Sequence, residues 1–590
     1  MEMELGPVKP SGSVPSEETD EYSEWLDCIN LTPFQQAIAN EAEEKIDARG
    51  GLGLSLPMGT GKTILSLYLA LRELQLRTDD HPEPILCICS KTLLSTWTAE
   101  LQKFFGSTFP YEVLHQEWTD LTTWTPKQGT LLVLTTPAVA RKSYIDSRIG
   151  EKYTRIEFIN PRFPILSVRH YTDPDQPFGN VGYGYGLVHS RKWSNLIVDE
   201  ADAYTNIECA QNMAIASISA RKRWLMSGTL FHEPVPRRVL GYLLMLNDKR
   251  YEKTLPNIER LMYDYNPRAS PFRGLAETTV RRTKNEDAAH VHERVESFIV
   301  THGRTHDETL VHVAMRNVIR ELHGKAHDLL LTDEERKKYS AYVMAMLTYL
   351  RQALICPVLP IATIALKIAN AETDLGKQEL NLTFQNAINQ LHLTPALDSL
   401  DFVFSSRLRA VMDKIIENAD RRIAVFTCFR RALLLLQHYL HESGFRVFCV
   451  TGNMTSARRS KELQDFLTAP EGILLLTYDV GANGLNLQAA SCVMLMDFWW
   501  NAGKTQQAVA RVVRRGQQQD VRVYYFTSDT GLERIILEKQ KSKLRDMEQL
   551  LLGKVHRSER PSLSQDELVR SILCETNAGL VREVYQTNSV

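Results

Sequence analysis

The sequence predicts an α/β protein of two lobes, each a parallel sheet with helices on both faces. After Trp25, short apolar and β-branched runs alternate with longer helical patterns, as strand–helix–strand units require. This rhythm occurs twice, separated by a helical stretch with no strand pattern of its own. At 590 residues the chain also exceeds what one hydrophobic core holds, so several units are expected.

In the first half the strand runs are GLGLSL (51–56), ILCICS (85–90), TLLVLTT (130–136), NLIVDE (195–200) and RWLMSGT (223–229). In the second they are RIAVFT (422–427), RVFCVTG (446–452), GILLLTYD (472–479), VMLMDF (493–498) and VRVYYF (521–526). The expected organisation is an acidic disordered tail over 1–25, a first lobe over 26–300, a helical insertion or brace over 301–400, a second lobe over 401–553 and a tail over 554–590. The Gly-, Pro- and Tyr-rich segment 171–189 reads as a long surface loop, and Ser564 with Glu567 as a capping box for a last short helix.

Hydrophobic residues make up 43% and charged residues 24%, ordinary for a soluble globular protein. A formal charge of −2 argues against a wholly basic nucleic-acid binder but leaves room for a local basic groove. The nine cysteines include no CxxC pair, so reduced, mostly buried thiols are expected in place of a zinc module or disulfide framework. The first residues lack the apolar core of a signal peptide, and no apolar run is long enough to cross a bilayer. An intracellular protein without membrane contact is expected.

The chemistry begins at SLPMGTGKT (55–63). The phosphate-loop pattern GxxxxGK[ST] ends here in Gly61, Lys62 and Thr63, while Leu56 stands where the first glycine belongs. Pro57 restricts Leu56 to an extended conformation, so Leu56 can end the strand without glycine's freedom. The loop lies between a predicted strand and a helical run, where backbone N–H groups and the helix N-terminus face phosphates. In that arrangement Lys62 reaches the terminal phosphates and the Thr63 hydroxyl binds Mg2+. A glycine-rich strand-to-helix turn is the plain alternative.

A second piece is NLIVDEAD, where an apolar strand delivers Asp199 and Glu200 at its C-terminal edge. The first carboxylate of such a pair holds the magnesium shell and the second activates the attacking water. A solvated acidic strand end is the bland reading, but it leaves unexplained why both halves of a metal–nucleotide site end parallel strands.

LTPFQQ (31–36), LPMGTGKT, ILCICSKTLLSTW (85–97), VLTT (133–136), IVDEAD, LMSGT (225–229), VRRTK (280–284), GANGLNLQAA (481–490), DFWWN (497–501) and QAVARVVRRGQ (507–517) follow in that order. Together they resemble the SWI/SNF-related helicase-like ATPases of helicase superfamily two. The resemblance implies two RecA-like lobes with an ATP cleft between them, ATP and Mg2+ as ligands, and Gln35 reading the adenine edge. It implies phosphate and nucleotide contacts by Met58, Gly59, Thr60, Gly61, Lys62, Thr63 and Gly484, with magnesium on Thr63 and Asp199. Ser227, Gly228 and Thr229 resemble the motif coupling hydrolysis to lobe movement. Gln507, Arg511 and Arg514 would be supplied by the second lobe, the two arginines from one face of a predicted helix.

By the same resemblance, nucleic-acid contacts would involve Lys91, Thr92, Thr135 and Thr136 in the first lobe and Arg430, Thr451, Gly452, Thr477 and Asn483 in the second. The aromatic rings of Trp97, Trp499 and Trp500 can stack on bases, although a large aromatic at a strand end is more often core. The family implies a monomeric nuclear motor translocating on double-stranded DNA and remodelling nucleosomes or other DNA-bound proteins. Departures are DEAD where remodellers more often have DEAH, LPMGTGKT without an acidic pair, and GANGLNL with one glycine fewer. Two alternatives stay open: an RNA- or single-strand-dependent helicase, and a non-hydrolysing scaffold.

Overall fold

The computed structural model describes residues 22–360 and 405–551, apart from 47–49, 58, 78–82, 116–123, 149–187, 190, 208, 229–235, 248–276, 283–285, 287–293, 305, 327, 453, 482–484, 501, 515 and 529. Met58, Thr229, Asn483, Gly484, most of the segment 171–189, most of the acidic tail, residues 361–400 of the helical brace and the tail with Ser564 and Glu567 lie outside them.

Two sheets carry the fold, and every strand pairing in both is parallel. The first comprises β1 (Gly51–Ser55), β2 (Ile85–Ile88), β3 (Tyr111–Leu114), β4 (Leu132–Thr135), β5 (Trp193–Val198), β6 (Ala220–Ser227) and β7 (Thr279–Arg281), in the order β3-β4-β2-β5-β6-β1-β7. The second comprises β8 (Val295–Thr301), β9 (Arg422–Thr427), β10 (Val447–Val450), β11 (Gly472–Thr477), β12 (Cys492–Leu495) and β13 (Val521–Thr527), in the order β10-β11-β9-β12-β13-β8.

Both faces of each sheet are covered, which is why the strands read as near-continuous apolar runs. Successive residues still alternate between faces. Ile85 and Cys87 enter one core with Leu65, Trp97 and Trp224, whereas Leu86 and Ile88 enter another with Val198, Tyr242 and Leu243. In the second sheet Ala424 and Phe426 face one core and Ile423 and Val425 the other.

The structure moves one boundary. β8 pairs with β13 from Val295↔Val521 to Thr301↔Thr527. A division at residue 300 would therefore assign an edge strand of the second sheet to the first lobe. The helices His306–Ala326 and Asp333–Ile355, expected as a helical insertion or brace leading into the second lobe, pack through Val311, Met315, Met346 and Leu350 into the core containing Phe426, Leu474 and Val523. Helix Asp333–Ile355 starts at a reciprocal capping box, Glu335 N–H to Thr332 Oγ1 at 3.3 Å and Thr332 N–H to Glu335 Oε2 at 2.9 Å.

A second correction concerns Arg511 and Arg514. Their helix, Ala502–Val509, ends before them, so they do not project from one helical face. Arg511 and Val512 N–H donate three residues back, to Ala508 and Val509, which tightens the chain out of α geometry. The buried Gln517 side chain then fastens the turn by donating to the carbonyls of Gln488, Ala490 and Val512 at 3.0, 2.9 and 3.3 Å. Among the described residues no helix is long and apolar enough to cross a membrane.

Candidate nucleotide site

The carboxyl ends of the parallel strands form one edge of each sheet, the edge where open α/β folds bind ligands. At that edge of the first sheet, Ser55 is level with Ser227 and with Arg281. The Leu56 N–H donates to the Ser227 carbonyl at 3.1 Å, so Leu56 forms one further rung and needs no glycine. The chain then turns through Gly59 at φ 76° and Gly61 at φ 73°, a region that penalises a β-carbon, and enters the helix Lys62–Gln75.

Gln35 braces this turn. Its side-chain N–H donates to the Thr60 carbonyl at 2.8 Å and its Oε1 accepts from the Thr32 N–H at 3.0 Å, fixing both ends of a buried amide. A β-carbon on Gly61 would lie 2.5 Å from Gln35 Nε2. Gly61→Ala is therefore expected to lower the melting temperature more than Gly444→Ala. Both glycines have a positive φ, 73° and 79°, and carry left-handed strain of roughly 1–2 kcal/mol, but nothing lies within 4 Å of a β-carbon at Gly444. Parallel thermal melts check this, and equal losses would mean that Gln35 yields freely.

Lys62 is buried, with its ammonium donating to the Leu56 and Pro57 carbonyls at 3.2 Å each. Burial pushes its pKa down, Glu200 and Asp199 push it back up, and Arg511 and Arg514 push it down again. The same charges act on Arg511, whose pKa is lowered first by burial and raised by Glu200 and Asp199. The structure thus brings Lys62, Asp199, Glu200, Arg511 and Arg514 together, the first three from one sheet and the arginines from the turn beyond the second sheet's β12.

Asp199 follows β5 and is buried. Its Oδ2 accepts the Trp97 indole N–H at 3.0 Å and its Oδ1 the Glu200 N–H at 2.9 Å. Burial raises its pKa. Glu200 sits at φ 50° and ψ 48°, and among the described residues only Asn247 shares a positive φ without being glycine. Such strain costs about 1–3 kcal/mol and concentrates at functional sites. Burial, then Asp199 and Asp202, push the Glu200 carboxyl up to about 7, and its Oε2 is enclosed without a hydrogen-bond partner.

Two residues that sequence reasoning did not place at the nucleotide site belong here. Asp202 accepts the Ser227 hydroxyl at 2.6 Å, tying the acidic motif to the end of β6. Its position as the last letter of DEAD was the available signal. Trp97 is fully buried, as the commoner reading of a large aromatic expects, and it also holds Asp199. Sequence alone does not show where its N–H points. Trp499 and Trp500 pack against the second lobe's core, with the Lys504 ammonium 4.6 Å from the Trp499 ring centroid.

Gln507 is buried on the helix Ala502–Val509. Of the proposed nucleic-acid contacts, Lys91, Arg430 and Gly452 are exposed and Thr477 is half-buried. Thr135, Thr136 and Thr451 are buried, and the Thr135 hydroxyl donates to the Leu114 carbonyl at 3.0 Å. Thr92 lies in the first turn of the helix Lys91–Phe105.

The donor set suits magnesium. Among the described residues no group of three or more His, Cys, Asp and Glu side chains forms a metal cage. A single buried carboxylate, Asp199, is the sparse, hard-oxygen arrangement in which Mg2+ keeps waters and phosphate oxygens as its remaining ligands.

The SNF2-related domain family matches residues 42–354, and the helicase conserved C-terminal domain matches residues 406–516. The chain is 24% identical over 561 residues to Chromodomain-helicase-DNA-binding protein 1-like of Danio rerio, covering 90% of this chain and 46% of that protein. It is 22% identical over 543 residues to the ISWI chromatin-remodeling complex ATPase ISW1 of Saccharomyces cerevisiae, covering 87% and 40%. Among solved structures, the Sulfolobus solfataricus SWI2/SNF2 ATPase core in complex with dsDNA aligns at 18% identity and a TM-score of 0.34, covering 93% of this chain and 98% of that one. The chain spans less than half the length of the curated relatives it matches. With more than half of its residues matched by the SNF2-related domain, this chain belongs to the SNF2-related family of helicase-like ATPases.

Proposed function

We propose that this protein hydrolyses ATP in the cleft between its lobes and uses the cycle to translocate on double-stranded DNA, remodelling DNA-bound proteins such as nucleosomes. The observation that carries the reading is the convergence of Lys62, Asp199 and Glu200 with Arg511 and Arg514 across the two sheets. Lys62 exchanges its loop carbonyls for the terminal phosphates, and Asp199 with Thr63 holds Mg2+, which screens phosphate charge when bound. Glu200 takes the proton of the attacking water, a task that a carboxyl titrating near 7 performs well at neutral pH. Arg511 and Arg514 stabilise charge on the transferring phosphoryl group. Because they arrive from the second lobe, hydrolysis and release alter the contact between lobes.

The DNA path runs over the carboxyl edges of both sheets, through Lys91 and Thr92 on one side and Arg430, Gly452 and Thr477 on the other. These contacts address the backbone and carry no base readout. The protein acts as a monomer in the nucleus. ATP turnover with and without linear duplex DNA tests the reading. Stimulation by duplex DNA, with an affinity that falls with salt at a log–log slope of about −0.9 per neutralised phosphate, is expected. Stimulation by single-stranded RNA alone would mark the protein as an RNA-dependent helicase, the reading that the DEAD spelling invites. No turnover with either would leave a scaffold.

A further inference from the structure

We infer that Trp97 is a positioning residue for magnesium: its indole N–H fixes the Asp199 carboxylate in the orientation that binds the ion. The inference rests on the reading of Asp199 as the metal-holding carboxylate. Trp97 lies midway along the helix Lys91–Phe105, is fully buried and donates to Asp199 Oδ2 at 3.0 Å. The other oxygen, Oδ1, accepts the Glu200 N–H at 2.9 Å. One donor on each oxygen stops rotation of the carboxylate about its terminal bond and leaves each oxygen a further lone pair for a ligand. The indole brings no charge, so it orients Asp199 without competing with a cation as a lysine would. Outer partners of this kind change metal affinity by roughly 10- to 100-fold when removed.

The helix also connects this bond to the proposed nucleic-acid contacts. The helix that carries Trp97 begins at Lys91 and Thr92, the residues proposed to meet the nucleic-acid backbone. A backbone seated on that helix start therefore bears on the same rigid rod that holds the metal carboxylate.

Trp224 provides an internal control. It too is buried in the first sheet, and its indole N–H donates at 2.9 Å to Asn195 Oδ1, a group outside the nucleotide site. The test measures binding of a fluorescent ATP analogue to the full chain as Mg2+ is titrated, for the parent, Trp97→Phe and Trp224→Phe. Trp97→Phe is expected to raise the Mg2+ midpoint at least tenfold while nucleotide binding without Mg2+ stays unchanged, and Trp224→Phe is expected to leave the midpoint in place. Should Trp97→Phe fail to fold, 3-benzothienylalanine incorporated at position 97 keeps the bicyclic ring, replaces the N–H by sulfur and is expected to give the same shift. An unchanged midpoint in the folded position-97 variant, or an equal shift in Trp224→Phe, would overturn the inference alone. A parent chain whose nucleotide binding ignores Mg2+ would overturn the assignment of Asp199 and this inference with it.

Discussion

Glu200→Gln is expected to cut ATP turnover by about 10²- to 10⁴-fold, the usual worth of a positioned general base, while nucleotide binding persists. The substitution keeps shape and removes the proton acceptor. Single-turnover hydrolysis beside equilibrium nucleotide binding separates the two effects, and turnover within a few-fold of the parent would mean that another group activates the water. In the parent, kcat/KM should rise with pH and level off above about 7, because only the carboxylate form accepts the proton.

The same carboxyl makes a separate prediction about stability. Its pKa is raised from 4.5 to about 7 in the folded state, so folding disfavours the charged form. Stability is therefore lost as pH rises from the ordinary value through about 7, and the loss is complete above it. At 1.36 kcal/mol per unit the penalty is about 3 kcal/mol. Glu200→Gln should accordingly melt higher than the parent at pH 8, with the difference shrinking towards pH 5. Equal melting at both pH values would place the carboxylate in contact with solvent.

Arg511→Ala is expected to lower turnover by about 10³- to 10⁵-fold, the range seen for arginines that stabilise a transferring phosphoryl group. The Arg511 carbonyl accepts the Leu487 N–H at 3.1 Å, a backbone bond that the substitution leaves in place. Gln517 likewise continues to hold the turn through Gln488, Ala490 and Val512. The loss should therefore appear in the chemical step with nucleotide affinity largely kept, and Arg511→Lys should not restore it, since a point charge lacks the planar fork. Hydrolysis within tenfold of the parent in a single-turnover assay would remove Arg511 from the mechanism.

Much of this was legible in the sequence. The central strands are buried on both faces, so they stand out as apolar runs such as ILCI and GILLL. Of the four edge strands, only β10, within RVFCVTG, stood out. In β3 and β8 most side chains are only partly buried or exposed, and VESFIVT mixes polar and apolar residues as an edge permits. β7 has only three residues, TVR, and its Val280 and Arg281 were read as part of the motif VRRTK with no strand assigned. The carboxylates, Lys62 and the arginines were legible because their chemistry restricts residue type. The turn that presents the arginines was not, because Gln517, Leu487 and Gln488 set it through side-chain and backbone bonds that span tens of residues. The left-handed backbone at Glu200 was equally hidden, since no glycine or asparagine marks it.

The pairing of Val295–Thr301 with Val521–Thr527 also bears on how the chain is made. At roughly 5–20 residues per second of synthesis, β8 leaves the ribosome tens of seconds or less before β13, its strand partner among the described residues. All strands of the first sheet, down to Thr279–Arg281, are already outside by then. The nascent chain can close its first sheet during translation, but its second must wait with a strand edge uncovered. That interval is the time at which a holding chaperone would matter most to the yield of folded protein.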